Sequence, residues 1–258
     1  MTKQDASPAR TEVIAAIYDI HGNLPALDAV LTEIQNSSVD RIIVGGDVVP
    51  GPMPRETLHR LLQCEIPIDF IHGNGEVAVL QQLSGQRPTA IPEQVWPLIE
   101  WTANQLEPED HNVLRVWPKT LAVATKSLGK ILFCHATPQS ETEIFTRLSS
   151  DDRLRAILSG VDADIVVCGH THMQFDRRVD NVRVINAGSV GMPFGKPGAY
   201  WLLLGSDVRL RCTDYDREKA AAKIRACDYP QAEQFADTNI LNPPSEEQML
   251  EVFSKSAA

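Results

Sequence analysis

Val13-Ile14-Ala15-Ala16-Ile17-Tyr18-Asp19-Ile20-His21-Gly22-Asn23 is the stretch from which the fold can be read. Its first half, Val13–Ile17, is a short apolar run of strand type. The polar residues Asp19, His21 and Asn23 follow at once, and then Leu24, Leu27, Leu31 and Ile34 recur at helical spacing, with Asn23 suited to the N-cap and Pro25 to the first turn. The pattern then repeats. Arg41–Val44 reads as a strand, Pro54–Leu62 as a helix and Ile66–Ile71 as a third strand. Short apolar runs alternating with helical periodicity are the signature of β-α-β units, so the fold class is α/β.

Working outward, the character changes between Glu76 and Trp117. Trp96, Trp101 and Trp117, several prolines and helix-like spacing at Val95, Leu98, Ile99, Val113 and Leu114 predict a helical insertion over about residues 76 to 120. Two readings of it stand side by side, a cap over a site or helices that cover a sheet face. Beyond it, Leu121–Ala124 and Lys130–Cys134 suggest a hairpin, Ser150 and Gly160 bracket a helix from Asp151 to Ser159, and Asp164–Cys168 is another strand. Arg177–Val179, Val182–Ile185, Ala199–Leu204 and Val208–Cys212 continue as strands separated by turn residues, which points to a second, more antiparallel sheet. Two sheets packed as a sandwich with helices outside would use both halves. A helix near Asp216–Cys227, a break at Asn242-Pro243-Pro244 and a last helix near Glu246–Lys255, with Ser245 and Gln248 as a capping box, close the chain. The expected organisation is one domain over 1–258 with a C-terminal extension from about 229 to 258.

The chain has 258 residues, of which 43% are hydrophobic, enough for one substantial core. Met1–Arg10 is polar, and no segment is apolar for long enough to cross a bilayer, so a cytoplasmic protein without membrane association is expected. The five cysteines include no C-x-x-C pair and read as reduced, mostly buried thiols. A net charge of −10 argues against a stable nucleic-acid complex, whereas a small phosphorylated substrate stays compatible with it, since bound cations invert the local field. No motif encodes an oligomeric state.

The candidate chemistry lies at the strand ends. Asp19 and His21 follow the first strand, Asp47 the second, Asn74 the third; His135 follows Lys130–Cys134, and His170 and His172 follow Asp164–Cys168. In open α/β sheets the carboxyl ends of strands meet along one edge, where ligand sites form. One such residue alone would mean a turn or a structural histidine; seven together mean a metal centre. Oxygen and imidazole donors without thiolate suit Mn, Fe, Zn, Co or Mg, with Mn or Fe foremost, and seven donors suit two divalent metal ions sharing a carboxylate.

In order, Asp19-Ile20-His21-Gly22-Asn23, Gly45-Gly46-Asp47, Gly73-Asn74, His135 and Gly169-His170-Thr171-His172 resemble the D-x-H, G-D, G-N-H-[DE], H and G-H-x-H blocks of the calcineurin-like metallophosphoesterases. Asn186-Ala187-Gly188-Ser189 is similar to the N-x-G-S segment of their small bacterial and archaeal phosphodiesterase branch. The resemblance implies a four-layer α/β/β/α sandwich of two mixed sheets. It assigns Asp19, His21, Asp47 and His172 to one ion, and Asp47 as the bridge with Asn74, His135 and His170 to the other. It also implies hydrolysis of a phosphate ester through attack by a metal-bridging hydroxide.

One block departs from the pattern. Gly73-Asn74-Gly75-Glu76 carries glycine where the family has a histidine that assists the leaving group. Glu76 and, directly before the block, His72 are then the candidate catalytic residues beside Asp47, with His111 and Arg55 as further replacements if the cap or the loop after Asp47 folds over. The departure favours a small phosphodiester, a nucleotide among them, or an activated ester. A Ser/Thr protein phosphatase or phosphomonoesterase is the alternative; the former needs an open groove. A non-catalytic metal-binding scaffold is a third reading, and scaffolds of this superfamily typically lose ligands that are all present here.

Overall fold

The structure, a computed structural model, describes residues 12–87 and 91–256. The polar Met1–Arg10 stretch, residues 88–90 of the expected insertion and the last two residues of the C-terminal extension lie outside them. The quoted stretch forms strand β1 (Ile14–Ile17) and helix α1 (Leu24–Gln35), with the Asn23 side chain capping α1 by accepting from the Ala26 amide at 3.2 Å. Then follow β2 (Arg41–Val44), α2 (Pro54–Leu62), β3 (Ile68–Phe70), α3 (Asn74–Leu83), α4 (Trp96–Gln105), α5 (Pro108–Arg115), β4 (Thr120–Thr125), β5 (Gly129–Cys134), α6 (Asp151–Ile157) and β6 (Ile165–Cys168). The chain continues through β7 (Phe175–Val179), β8 (Val182–Asn186), β9 (Ala199–Leu204), β10 (Val208–Thr213), α7 (Arg217–Arg225), α8 (Ala232–Phe235), a π-helical turn Ala236–Leu241 and α9 (Glu246–Ser256).

Two five-stranded mixed sheets result. The first has the order β10-β9-β1-β2-β3, with β1, β2 and β3 parallel and β9 antiparallel to β1; the second has the order β4-β5-β6-β8-β7, with β5, β6 and β8 parallel. Strand alternation sends successive side chains to opposite faces. Ile14, Ala16 and Tyr18 therefore face the second sheet, packing with Phe133, Val167 and Ile185, while Ala15 and Ile17 face the helices and pack with Leu27, Leu31 and Trp201. On the far side α6 covers the second sheet through Leu154 and Ile157. These are the four layers, helix, sheet, sheet, helix.

The helices of the expected insertion bury Ala78, Val79, Ile99, Ala103 and Leu114 in the same core as α1 and α2. They thus cover the outer face of the first sheet. A separate apolar cluster joins Met53 to Ala220, Ala221, Ile224, Tyr229, Phe235 and Ile240, with Leu98 and Trp101 of α4 and Met192 packed against it. Through this cluster the C-terminal chain meets α4 near the strand ends. Two sequence expectations are corrected here. The third strand is shorter than Ile66–Ile71, and of the five free cysteines only Cys134 and Cys168 are fully buried. Among the described residues no helix is long and apolar enough to cross a membrane.

Candidate metal centre

β1, β2, β3, β5 and β6 deliver all seven predicted ligands to one edge of the sandwich. Their loops are unusual. Among the described residues seven non-glycine residues have φ between +48° and +64°, and five of them are Asp19, His21, Asp47, His170 and His172. Each left-handed side-chain-bearing residue costs about 1 kcal/mol or more and persists only where the surroundings over-determine it, so such residues cluster at functional sites. Here they aim short side chains sharply inward.

The carboxylates are held alike. Asp19 Oδ2 accepts from the His170 amide at 2.8 Å and Asp47 Oδ1 from the Gly75 amide at 2.7 Å, which leaves the second oxygen of each facing the centre. Asp47 Oδ2 lies 3.7 Å from His21 Nε2 and 3.6 Å from His135 Nε2; Asp19 Oδ1 lies 3.4 Å from His172 Nε2 and 3.8 Å from His135 Nε2. The imidazoles are held from behind by backbone carbonyls, at Pro50 for His21 (3.3 Å), Gly45 for His135 (2.9 Å) and Met192 for His172 (2.7 Å), each through Nδ1. That places the proton on Nδ1 and, in the neutral ring, turns the Nε2 lone pair inward, the arrangement that orients metal-binding histidines. Asn74 Oδ1 stands 3.0 Å from His135 Nε2, and the His170 ring packs edge-on to His135.

The residues fit divalent cations. Asp19 Oδ1 is buried without a hydrogen-bond partner, a costly state for a carboxylate oxygen unless a cation meets it. Two compact groups, Asp19 with His21 and His172, and Asp19 with Asp47 and His135, bring potential ligand atoms within 4.8 Å of one another. Burial, and then the neighbouring His172, push His21 down to about 3, and burial, with His135 next, does the same to His170, so both rings are held in the neutral form that a cation requires. At His135 and His172 burial opposes the charged ring, but the facing carboxylates outweigh it and hold both above the ordinary value. Burial raises the Asp47 carboxyl, with Asp19 adding to the rise, whereas at Asp19 burial is outweighed by His172, His135 and His21 together, which hold it low.

The N-x-G-S segment acquires a physical role. Asn186 Nδ2 donates to the Gly169 carbonyl (2.6 Å) and to Thr171 Oγ1 (3.1 Å), and Ser189 Oγ donates to the Asp19 carbonyl (2.7 Å) while accepting from the Met192 amide (2.8 Å). It fastens the two ligand loops to each other.

A sequence model of the calcineurin-like phosphoesterase superfamily domain matches residues 13–207, which carry every one of these side chains. The chain belongs to that superfamily. An uncharacterized protein of Methanocaldococcus jannaschii is 30% identical to it over 237 residues, 82% of this chain and 91% of the relative. The crystal structure of a metallophosphoesterase from Sphaerobacter thermophilus superimposes with a TM-score of 0.71 at 24% identity, covering 88% of this chain and 98% of that one. A hypothetical protein from Pyrococcus horikoshii OT3 superimposes with a TM-score of 0.73 at 19% identity over 90% and 99% of the two chains. The fold is shared with both.

Against the superfamily pattern, the departure at Gly75 has a steric cause. A Cβ built there would stand 2.2 Å from the Val49 carbonyl oxygen and 2.7 Å from Pro50 Cδ. The loop after β2 fills the space that a histidine would need. Glu76 is wholly buried, its Oε2 accepting from the Asp47 and Gly73 amides (2.8 and 2.7 Å) and its Oε1 from the Val49 amide (3.1 Å). Burial, and next the Asp47 charge, push its carboxyl up to about 7. It grips the same loop and the Asp47 backbone, and it does not reach the cavity. His72 is placed elsewhere too, with its Nδ1 3.7 Å from Glu141, which in turn pairs with Lys119. Arg55 pairs with Glu107 and Asp110, and His111 faces the Leu106 carbonyl; none of the three lines the cavity.

That cavity, of about 610 Å³, has His21, Asp47, Asn74 and His170 at its inner end. Ile91, Val95 and Leu98 wall one side and Tyr229, Phe235 and Asn239 another. Sequence reading named Val95 and Leu98 in a possible cap but missed Ile91, Tyr229, Phe235 and Asn239, because nothing in their local pattern marks them as facing a site. Thr142, Ile144 and Met192, which also line it, follow ligand-bearing loops, and that position was the available signal.

Proposed function

We propose that this chain is a metal-dependent hydrolase of a small phosphodiester or activated phosphate ester. The observation that carries the reading is the convergence of inward-facing carboxylate oxygens and imidazole Nε2 atoms on the inner end of a walled cavity. Asp19, His21, Asp47 and His172 would hold one divalent ion, and Asp47, Asn74, His135 and His170 the other, with manganese or iron favoured. When bound, two such ions supply Lewis acidity toward the phosphoryl oxygens and lower the pKa of a shared water. Asp47 Oδ2, 3.7 Å from His21 Nε2 and 3.6 Å from His135 Nε2, would be the carboxylate oxygen shared by the two sets. The tautomers fixed by Gly45, Pro50 and Met192 keep the Nε2 atoms turned inward throughout.

Substrate class follows from what does not face the cavity. Gly75 offers no proton donor, and the Val49 carbonyl occupies its side-chain space, so a leaving group must depart with little protonation. Diesters with acidic leaving groups and activated esters meet that condition. The helices within 76–120 and the extension from 229 onward act as a cap, since both contribute walls; this counts against a Ser/Thr phosphatase, which must admit a protein surface. Unpaired cysteines and the acidic balance fit a reducing, cytoplasmic setting.

The test is hydrolysis of bis-p-nitrophenyl phosphate and p-nitrophenyl phosphate by metal-stripped protein reconstituted with Mn²⁺, with Asp47→Asn in parallel. The expected outcome is metal-dependent cleavage favouring the diester and falling by about 10²–10³-fold or more in the variant, the scale of losing one pre-organised charge-stabilising group. Stoichiometric Mn²⁺ binding without turnover of either ester would sink the proposal and favour the scaffold.

A further inference from the structure

The cavity extends well beyond the candidate ligands, and its outer part has a composition of its own. Among the described residues its lining contains no lysine and no arginine. A second phosphate or a carboxylate on the substrate would find no cation there, only the charge of the ligand cluster at the inner end. The walls are instead apolar, built by Ile91, Val95, Leu98, Ile144, Met192 and Phe235.

At the mouth the chemistry changes again. Gln231, Gln234 and Asn239 line the cavity, and among the described residues their carboxamides make no hydrogen bond. Asn239 lies in the π-helical turn Ala236–Leu241, a form that appears mostly as single turns and frequently at functional sites. The turn is anchored beneath by Phe235, Ala236 and Ile240, which are buried against α7, so its outward residues are held in place although Asn239 is only partly buried.

Resting on the phosphoesterase reading, we propose that the roof formed by α4 and residues 229–239 is a subsite for an uncharged, flat, hydrogen-bonding organic arm of the substrate, of nucleobase type. Apolar walls receive the faces of such a ring, and carboxamides, each offering both donors and an acceptor, read its edge. An alkyl arm would leave the carboxamides unused. An anionic arm would be carried into a cavity whose only charged side chains, among the described residues, belong to the inner end.

The experiment holds the leaving group constant. Mn²⁺-reconstituted protein is assayed on p-nitrophenyl esters of thymidine 5′-phosphate, ethyl phosphate, hexyl phosphate and 2-carboxyethyl phosphate, comparing kcat/KM. The thymidyl ester is expected to exceed the ethyl ester by about tenfold or more, the low end of what pocket contacts discriminate. In the Gln234→Ala/Asn239→Ala double variant the thymidyl-to-ethyl ratio falls toward one, and in Gln234→Lys the carboxyethyl ester gains on the others. A hexyl or carboxyethyl ester as good as the thymidyl ester, or a ratio that the double variant leaves unchanged, overturns the proposal.

A second readout separates it from the reading beneath it. Thymidine alone should quench the tryptophan fluorescence of metal-free protein, because Trp101 packs edge-on to Tyr229, and the quench should vanish in the double variant. Quenching without turnover of any ester would retain the subsite and end the phosphoesterase reading. Turnover with neither preference nor quenching would do the reverse.

Discussion

The floor and the roof of one cavity are built on opposite principles. On the floor, Asp19, His21, Asp47, His170 and His172 sit in left-handed backbone, and Asp19, Asp47, His21 and His172 each have one polar atom held by backbone and another turned inward. On the roof, Gln231 precedes α8, Gln234 lies on it and Asn239 lies in the π-helical turn, and among the described residues their side chains make no hydrogen bond. Chemistry that must place charge within a fraction of an ångström uses backbone strain and buried hydrogen bonds to do so. Recognition of an organic group tolerates adaptable side chains on a firm support.

Substitutions beneath the floor should therefore be felt far more than their size suggests. The largest effect is expected for Gly75→His, which would restore the superfamily's residue. The new Cβ would meet the Val49 carbonyl at 2.2 Å, so the loop after β2 must move, and with it the Gly75 amide that holds Asp47 Oδ1. Overpacking of this kind costs about 1–3 kcal/mol, and a 1 Å misplacement of reacting groups costs about 10²-fold in rate. Activity against p-nitrophenyl esters should therefore fall, with a lower Tm. A gain in phosphomonoesterase activity would break the steric account.

Glu76→Gln sharpens the same point with a smaller change. The carboxylate accepts from three backbone amides, at Asp47, Gly73 and Val49, and a carboxamide must turn an NH₂ toward one set of them. A buried amide left without an acceptor costs about 1–3 kcal/mol. Chemical denaturation should show that loss, and metal affinity should weaken by about 10-fold, as when a partner that orients a ligand is removed. An unaltered unfolding midpoint would show that Glu76 does not organise the loop.

The same division explains what was legible in the sequence. The ligands could be read because each follows a strand, and strand ends of a parallel sheet meet on one edge; the β1 run and its flanking Asp19 and His21 are enough to start the inference. The sandwich followed from alternation, Ile14 and Ala16 toward one layer, Ala15 and Ile17 toward the other. The roof was hidden because Tyr229, Phe235 and Ile240 look like any apolar face until the chain has returned across the strand ends to meet Leu98. Glu76 was misread for a related reason. Two residues after Asn74 it resembles a catalytic acid, but α3 starts at Asn74 and its first turn carries Glu76 under the loops and away from the cavity.

The smallest effect should come from His72, which the sequence offers as a replacement for the missing histidine because it stands directly before the Gly73-Asn74 block. Its amide donates to the Pro118 carbonyl and its ring lies beside Glu141, outside the cavity lining, although it is two residues from Asn74. Proton transfer to a leaving group needs a heavy-atom distance of about 2.6–3.2 Å, or one intervening water, and a ring outside the lining does not approach that. His72→Ala should keep kcat on both p-nitrophenyl esters within about twofold, since general acid–base groups typically contribute about 10²–10⁴-fold. A drop of that larger size, confined to the ester with the poorer leaving group, would place the ring over the substrate after all and restore it as the missing acid.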